Sequence, residues 1–335
     1  MNWIKTNIIG ILFSFILALI ATWLGGLFPI IGGPVIGIVL GIIINNTLQK
    51  PKSTISGIGF TSKKILQWAI IVLGAGLNLN QVWKTGLDSL SVMLFTIAAA
   101  FISAYVFGKL LGIPTKLKSL IGVGTAICGG SAIASVAPII EADESEVAYS
   151  ISTIFLFNII AVLIFPPLGH LLHFSDKAFG LWAGTAVNDT SSVVAAGYAF
   201  SNIAGAYATI VKLTRTTMII PISIIFAIIT AVQKKKASSN NKAVNYSLKK
   251  IFPWFVLWFL VASLLNTVGL FNTNAVHYIN ILGKFMIVMA LSAVGLTCDF
   301  KKMIKTGVKP IFLGLIVWFT VAATSIIVQI ITKQI

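Results

Sequence analysis

The chain is poor in the side chains that do covalent and metal chemistry. Its 335 residues include eight acidic ones, three histidines and two cysteines, and Arg215 is its one arginine. His170 and His173, three apart near a helix end, have no third ligand in sequence, so no metal is expected, and no other cofactor either. Cys128 and Cys298 sit in different apolar segments, which argues against a disulfide framework. No histidine lies near Cys128 to activate it as a nucleophile. The glycine-rich phosphate loop of a nucleotide-driven pump is missing too. An enzyme is therefore the remote reading. Charged residues make up 10% of the chain, against the quarter typical of soluble domains, which excludes the soluble class.

What fills the chain instead is hydrocarbon. Hydrophobic residues are 57% of the total, in apolar runs long enough to cross a bilayer as helices. The expectation is an all-α polytopic membrane protein with about eleven transmembrane helices, at 8–24, 30–46, 64–80, 89–110, 119–139, 147–169, 179–200, 206–232, 251–270, 277–298 and 309–332. No small-residue cleavage site follows the first run, which reads as a retained helix rather than a signal peptide. The chain reads as one transporter domain over 1–335, with candidate repeat halves at about 30–170 and 179–333.

The net charge of +16 does not point to nucleic acid, because of where the lysines fall. With the N-terminus in the cytoplasm, eleven crossings place Lys50, Lys52, Lys63, Lys64, Lys109, Lys116, Lys118, Lys177, Lys234 to Lys236, Lys242, Lys249, Lys250, Lys301, Lys302, Lys305 and Lys309 inside. Lys84, Lys333 and the acidic group Glu141, Asp143, Glu144 and Glu146 fall outside. That is the positive-inside pattern of a multi-pass protein in the cell membrane. The expected partners are the lipid bilayer, a small anionic substrate and a coupling proton or sodium ion, with a homodimer also allowed.

Two stretches sixty residues apart are near copies: Gly124-Thr125-Ala126-Ile127-Cys128-Gly129-Gly130-Ser131 and Gly184-Thr185-Ala186-Val187-Asn188-Asp189-Thr190-Ser191. Paired glycines weaken helix, and hydroxyl and amide groups have no partner in hydrocarbon. Such backbone is tolerated at membrane depth only where protein or a cavity surrounds it. The expected substrate site is therefore Thr125, Cys128, Gly129, Gly130, Ser131, Asn188, Thr190, Ser191 and Ser192. An interrupted helix there would present backbone N–H groups and a positive dipole end to an anion. Close packing through small residues is the plainer alternative, and it is the preferred one for Gly33, Gly37 and Gly41 in the second helix. A second echo links 72–80 to 291–299 in helices that run oppositely, as an inverted repeat requires. The fifth and seventh helices run the same way, so either one is re-entrant or their likeness reflects shared chemistry.

Lys212 and Arg215 share a helical face inside the eighth run, and Lys284 lies within the tenth. Ionisable groups at membrane depth suggest function. With Asp189 the one internal carboxylate, the three cations are read as substrate-binding residues with an excess of positive charge for an anion. A structural ion pair between Arg215 and Asp189, or snorkelling by Lys212, is the plainer alternative.

Ile127 to Ala134, Gly184 to Ser191 and Val211 to Arg215 resemble signature segments of the YeiH-type family named for sulfate export, the UPF0324 membrane proteins. The likeness runs over nearly the whole chain, through the Gly-Pro-Val-Ile-Gly run at 33–37 and Gly295 to Asp299. It departs from the commoner pattern at Asn188, where histidine is usual, and near Gly130, where alanine is. Asp189 is thus the titratable group at that motif. The resemblance implies the broad group of cation/proton antiporters and bile-acid-type symporters, with interrupted, crossing helices. The leading reading is a secondary transporter exporting sulfate, sulfite or a sulfonate-like anion, coupled through Asp189. A cation/proton antiporter is the alternative.

Overall fold

The computed structural model describes residues 2–28, 32–48, 51–237, 254–298 and 307–335. Among them the only regular structure is helix. In chain order these are α1 (Asn2–Leu27), α2 (Gly32–Thr47), a 3-10 turn (Lys52–Thr54) running into α3 (Ile55–Phe60), a π turn (Thr61–Ile65) and α4 (Leu66–Gly74), then α5 (Leu79–Leu110), α6 (Thr115–Ala126), α7 (Gly130–Val136), α8 (Glu144–Leu171), α9 (Asp176–Ala186), α10 (Thr190–Phe200), α11 (Asn202–Thr217), α12 (Ile219–Ala237), α13 (Trp254–Thr267), α14 (Thr273–Thr297) and α15 (Val308–Ile331). The basic linker at 238–250, Asp299 and the lysines at 301–305 lie outside the described residues.

Helix starts follow local chemistry. Asn78, Ser175 and Asn272 cap α5, α9 and α14 by accepting from Asn80 N, Ala178 N and Ala275 N. Among the described residues six helices are long and apolar enough to cross a membrane: Thr6–Leu27, Leu79–Leu110, Ser145–Leu171, Asn202–Gln233, Thr273–Thr297 and Val308–Ile331. Their outer faces present Ile16, Phe95, Ile102, Ile228 and Phe319 to the surroundings, a surface that only hydrocarbon solvates well. The chain is membrane-embedded. α2 packs on α14 through its spaced glycines: a β-carbon at Gly37 would lie 2.6 Å from Ser292 Oγ, and one at Gly41 would lie 2.8 Å from Leu296 N. This is the close approach expected of them. α4, which ends within the first member of the 72–80 and 291–299 echo, packs antiparallel on α14. Leu73 fits against Gly283, and Gly76 against Asn280.

The two motif segments depart from the sequence reading. Both are interrupted, but neither runs on through the molecule. Lys116 Nζ, at the start of α6, donates to Glu141 O beyond the end of α7 at 2.6 Å. A straight path from 116 to 141 would separate those residues by about 35 Å at helical rise. Likewise Ser201 donates to Asp176, and the rings of Phe179 and Phe200 stack 4.0 Å apart, joining the start of α9 to the end of α10. α6–α7 and α9–α10 are therefore two helical hairpins rather than crossing helices. The first opens beside the start of α8. The second opens beside its end, where Gly169 packs on Phe179 and His170 stacks on Phe200. α8, with 28 residues or about 42 Å of helix, spans the distance between the two mouths. The hairpins thus enter from opposite ends and meet midway.

This corrects the side assignment of two loops: the acidic one after α7, and the one carrying Lys177, which lies at the opposite end of α8 from Lys116 rather than beside it. Glu141 bonds Lys116, so the acidic group at 141–146 sits at the same end as Lys116 rather than opposite it. The lysine count could not have shown this, because acidic residues carry little weight in orientation. Cysteines placed at Lys109 and Ser145 should react with an impermeant thiol reagent from one side of the membrane, and one at Lys177 from the other. Labelling of Ser145 and Lys177 from a common side would refute the hairpin arrangement.

Candidate functional site

The hairpin tips are Ile127–Gly129 and Val187–Asp189, and they touch. Gly129 adopts φ 69°, a left-handed turn that suits glycine, and its α-carbon position leaves a β-carbon only 3.4 Å from Asp189 Cβ. α11 runs alongside α9 because Gly180 and Gly184 admit it, a β-carbon at Gly184 lying 2.7 Å from Val211. That close approach brings Lys212 and Arg215 under both tips. Lys212 Nζ donates to Ile127 O at 2.8 Å and Val187 O at 2.9 Å, one acceptor on each tip. Arg215 Nε donates to Ala126 O at 2.6 Å and Nη2 to Thr125 O at 2.8 Å, while Nη1 donates to Thr185 O. Both side chains are 0% exposed.

The chemistry is that of helix ends. α6 and α9 stop at the tips and leave carbonyl groups without intrahelical donors, carrying a partial negative charge. The two cations satisfy those carbonyls. Among the described residues no ion pair joins Arg215 to Asp189, and the guanidinium is held by backbone instead. Lys212 does not snorkel.

Asp189 caps α10, its Oδ2 accepting from Ser191 N at 2.9 Å and from Ser191 Oγ. It is half-buried, whereas Asn188 is 1% exposed. Thr190, Ser191 and Ser192 form the buried first turn behind it. Cys128 is buried at the first tip and Gly130 half-buried. The Thr125 hydroxyl is occupied, donating to Ile121 O at 2.9 Å, and Ser131 is exposed on α7. Lys284 is not a buried cation at all. It is exposed on α14 and lines a separate cavity with Tyr198 and Asn202, beyond the far end of α10.

Asn158 of α8 was missed in the sequence. Its Oδ1 accepts from Asn188 N at 3.2 Å and Asp189 N at 3.1 Å, holding the second tip open, while its Nδ2 is buried with no hydrogen-bond partner. Both amide atoms of Asn188 are buried without partners as well. Buried unpaired amides are costly, and their concentration here suits a polar ligand. The available signal was a lone amide in the apolar run Phe155-Leu156-Phe157-Asn158-Ile159. Ser325 and Gln329 on α15 extend the polar layer, Ser325 bonding the Thr185 hydroxyl at 2.7 Å. Among the described residues no group of three His, Cys, Asp or Glu side chains could hold a metal.

Comparison with known proteins places the chain. The family described as Conserved hypothetical protein 698 matches residues 9–314. A UPF0324 membrane protein of Fusobacterium nucleatum is 47% identical, over 97% of this chain and 98% of its own. One from Streptococcus agalactiae is 48% identical over 97% of both, and one from Clostridium tetani is 44% identical over the whole of both. Among solved structures, the sodium proton antiporter MjNhaP1 of Methanocaldococcus jannaschii aligns over 96% of this chain and 95% of its own. At 14% identity and a TM-score of 0.30 it is too distant to bear on the fold. Full-length identity near one half, with the tip motifs inside the matched region, makes this chain a member of the UPF0324 membrane protein family.

Proposed function

We propose that the protein is a secondary transporter of the cell membrane that exports a small anion, sulfate, sulfite or sulfonate-like, with proton or sodium coupling at Asp189. Its N-terminus faces the cytoplasm, nine helical passes cross the bilayer, and α6–α7 and α9–α10 are re-entrant hairpins. The carrying observation is the charge balance at the meeting tips. Each tip joins one helix C-terminus to one N-terminus, so their partial charges of about one half roughly cancel. Lys212 and Arg215 contribute two positive charges and Asp189 one negative. About one positive charge is left beside the unpaired amides of Asn158 and Asn188. An anion would neutralise it. Irregular backbone held at mid-depth by protein is the form that transporter sites take in membranes.

One observation favours the cation/proton antiporter as a second reading: the unpaired Asn188 Oδ1 beside the Asp189 carboxylate is a cation's ligand set rather than an anion's. Proteoliposomes separate the two. Under an imposed pH or sodium gradient, the anion reading requires flux of labelled sulfate, sulfite or methanesulfonate. Sodium flux with no anion movement would transfer the assignment to the antiporter.

A further inference from the structure

Lys284 is not used at the tips. It lies near the middle of the 25-residue α14, facing a cavity of ≈ 450 Å³ between α1, α2, α14 and the far end of the second hairpin. Among the described residues no hydrogen bond or ion pair engages its ammonium. A cation placed at membrane depth without a partner is costly and suggests a ligand. Among the described residues the rest of the wall is mostly apolar, with Pro34, Phe285 and Val288, and its other polar side chains are Thr22, Tyr198 and Asn202. That composition and size match a small-molecule site with a few orienting polar groups. They do not match inorganic sulfate, a doubly charged ion that needs hydrogen-bond donors on every side and would leave most of the volume empty.

We propose that this cavity binds an organic monoanion, a sulfonate or carboxylate whose acid group pairs with Lys284 while an apolar or aromatic body packs on Phe285, Val288 and Pro34. Tyr198 and Asn202 supply further donors to the acid group. The assignment names the substrate class of the proposed transporter, and rests on that reading for the idea that the bound anion is cargo. Binding itself does not depend on it. An anionic lipid headgroup offers the same acid chemistry, but the four polar wall residues among those described favour a soluble ligand over a two-chain lipid.

The test is a titration of the full-length protein in lipid-free neutral detergent, read by calorimetry. Benzenesulfonate should bind, with sulfate and the neutral benzenesulfonamide each about tenfold weaker or worse, since a charge-assisted hydrogen bond is what they lose or cannot complete. Lys284→Gln should weaken benzenesulfonate about tenfold or more, and Lys284→Arg should retain it. Ile281→Trp, which fills the cavity without touching its charge, should also abolish binding. Equal affinity for sulfate, or unchanged affinity in Lys284→Gln, overturns the assignment. So does binding displaced only by added phosphatidylglycerol in both wild type and Lys284→Gln, which would mark a lipid site elsewhere. Coupled anion transport without Lys284-dependent binding sinks this assignment alone. Lys284-dependent binding without any transport sinks the transporter reading alone.

Discussion

Arg215→Ala should destabilise the folded protein by about 4 kcal/mol or more, measured by unfolding in mixed micelles of neutral detergent and dodecyl sulfate. The guanidinium makes three hydrogen bonds to backbone carbonyls of two separate helix ends. Bonds to a charged donor contribute about 1.5 to 3 kcal/mol each, and the truncated side chain would leave those carbonyls buried without donors. Removing the arginine also removes its own desolvation cost, which is why the expected loss is below the sum of the bonds. Arg215→Lys should recover only part of the stability, because one ammonium cannot reach three carbonyls arranged for a planar fork. Lys212→Met should cost less, since two bonds are lost and a buried charge goes with them. An Arg215→Ala protein that unfolds with the wild type would mean that the tips are held by something other than the cation pair. Sequence alone gave this residue to the substrate; the geometry gives it first to the backbone, and any contact with an anion must use the donors left over.

Asp189→Asn should leave folding near wild type and lower coupled transport about tenfold or more. Asparagine caps helices as well as aspartate does, so the start of α10 should survive the change. The charge does not. At an effective dielectric of about 20, a unit charge 4 Å from an ion contributes about 4 kcal/mol, and a third of that is already about a factor of ten. The remaining flux in proteoliposomes should lose its dependence on the imposed pH or sodium gradient. Retention of that dependence would move the coupling group away from Asp189. Loss of all ligand response, anion binding included, would favour the cation/proton antiporter.

The membrane class and the interruption at Cys128–Ser131 were legible because they rest on composition and on glycine and polar residues where leucine belongs; whether the second motif also breaks its helix was not. Nor was the direction of the chain after each interruption. Hydropathy over 115–136 or 176–200 has the length of one crossing, and it is blind to whether the second half continues or returns. The contacts that decide it, Lys116 with Glu141 and Phe179 with Phe200, are between residues that no local pattern relates. Charge counting did not help either, since both topologies put most lysines on one side. The burial of Lys212 and Arg215 was legible from their place in an apolar run. Their partners were not, because backbone carbonyls leave no mark in a sequence. Lys284 looked equivalent to them on the same criterion and is exposed, because a helix of that length offers one face to a cavity as readily as to a core.

The second hairpin is fastened at both extremities: Lys212 and Arg215 grip its tip, and Asp176, Ser201 and the Phe179–Phe200 stack close its mouth. Any displacement of its tip must therefore carry α11 along, so that α9, α10, α11 and the first tip, which the same two cations hold at Thr125, Ala126 and Ile127, move as one lever. The stiff side of that lever is the aromatic wedge of Trp182 between Phe165 and Ala322, where ring centroids stack at 4.0 Å and the indole N–H is bonded at 3.1 Å. The slack side is the seam toward α1, α2 and α14, where a void of ≈ 450 Å³ means that fewer dispersion contacts resist sliding.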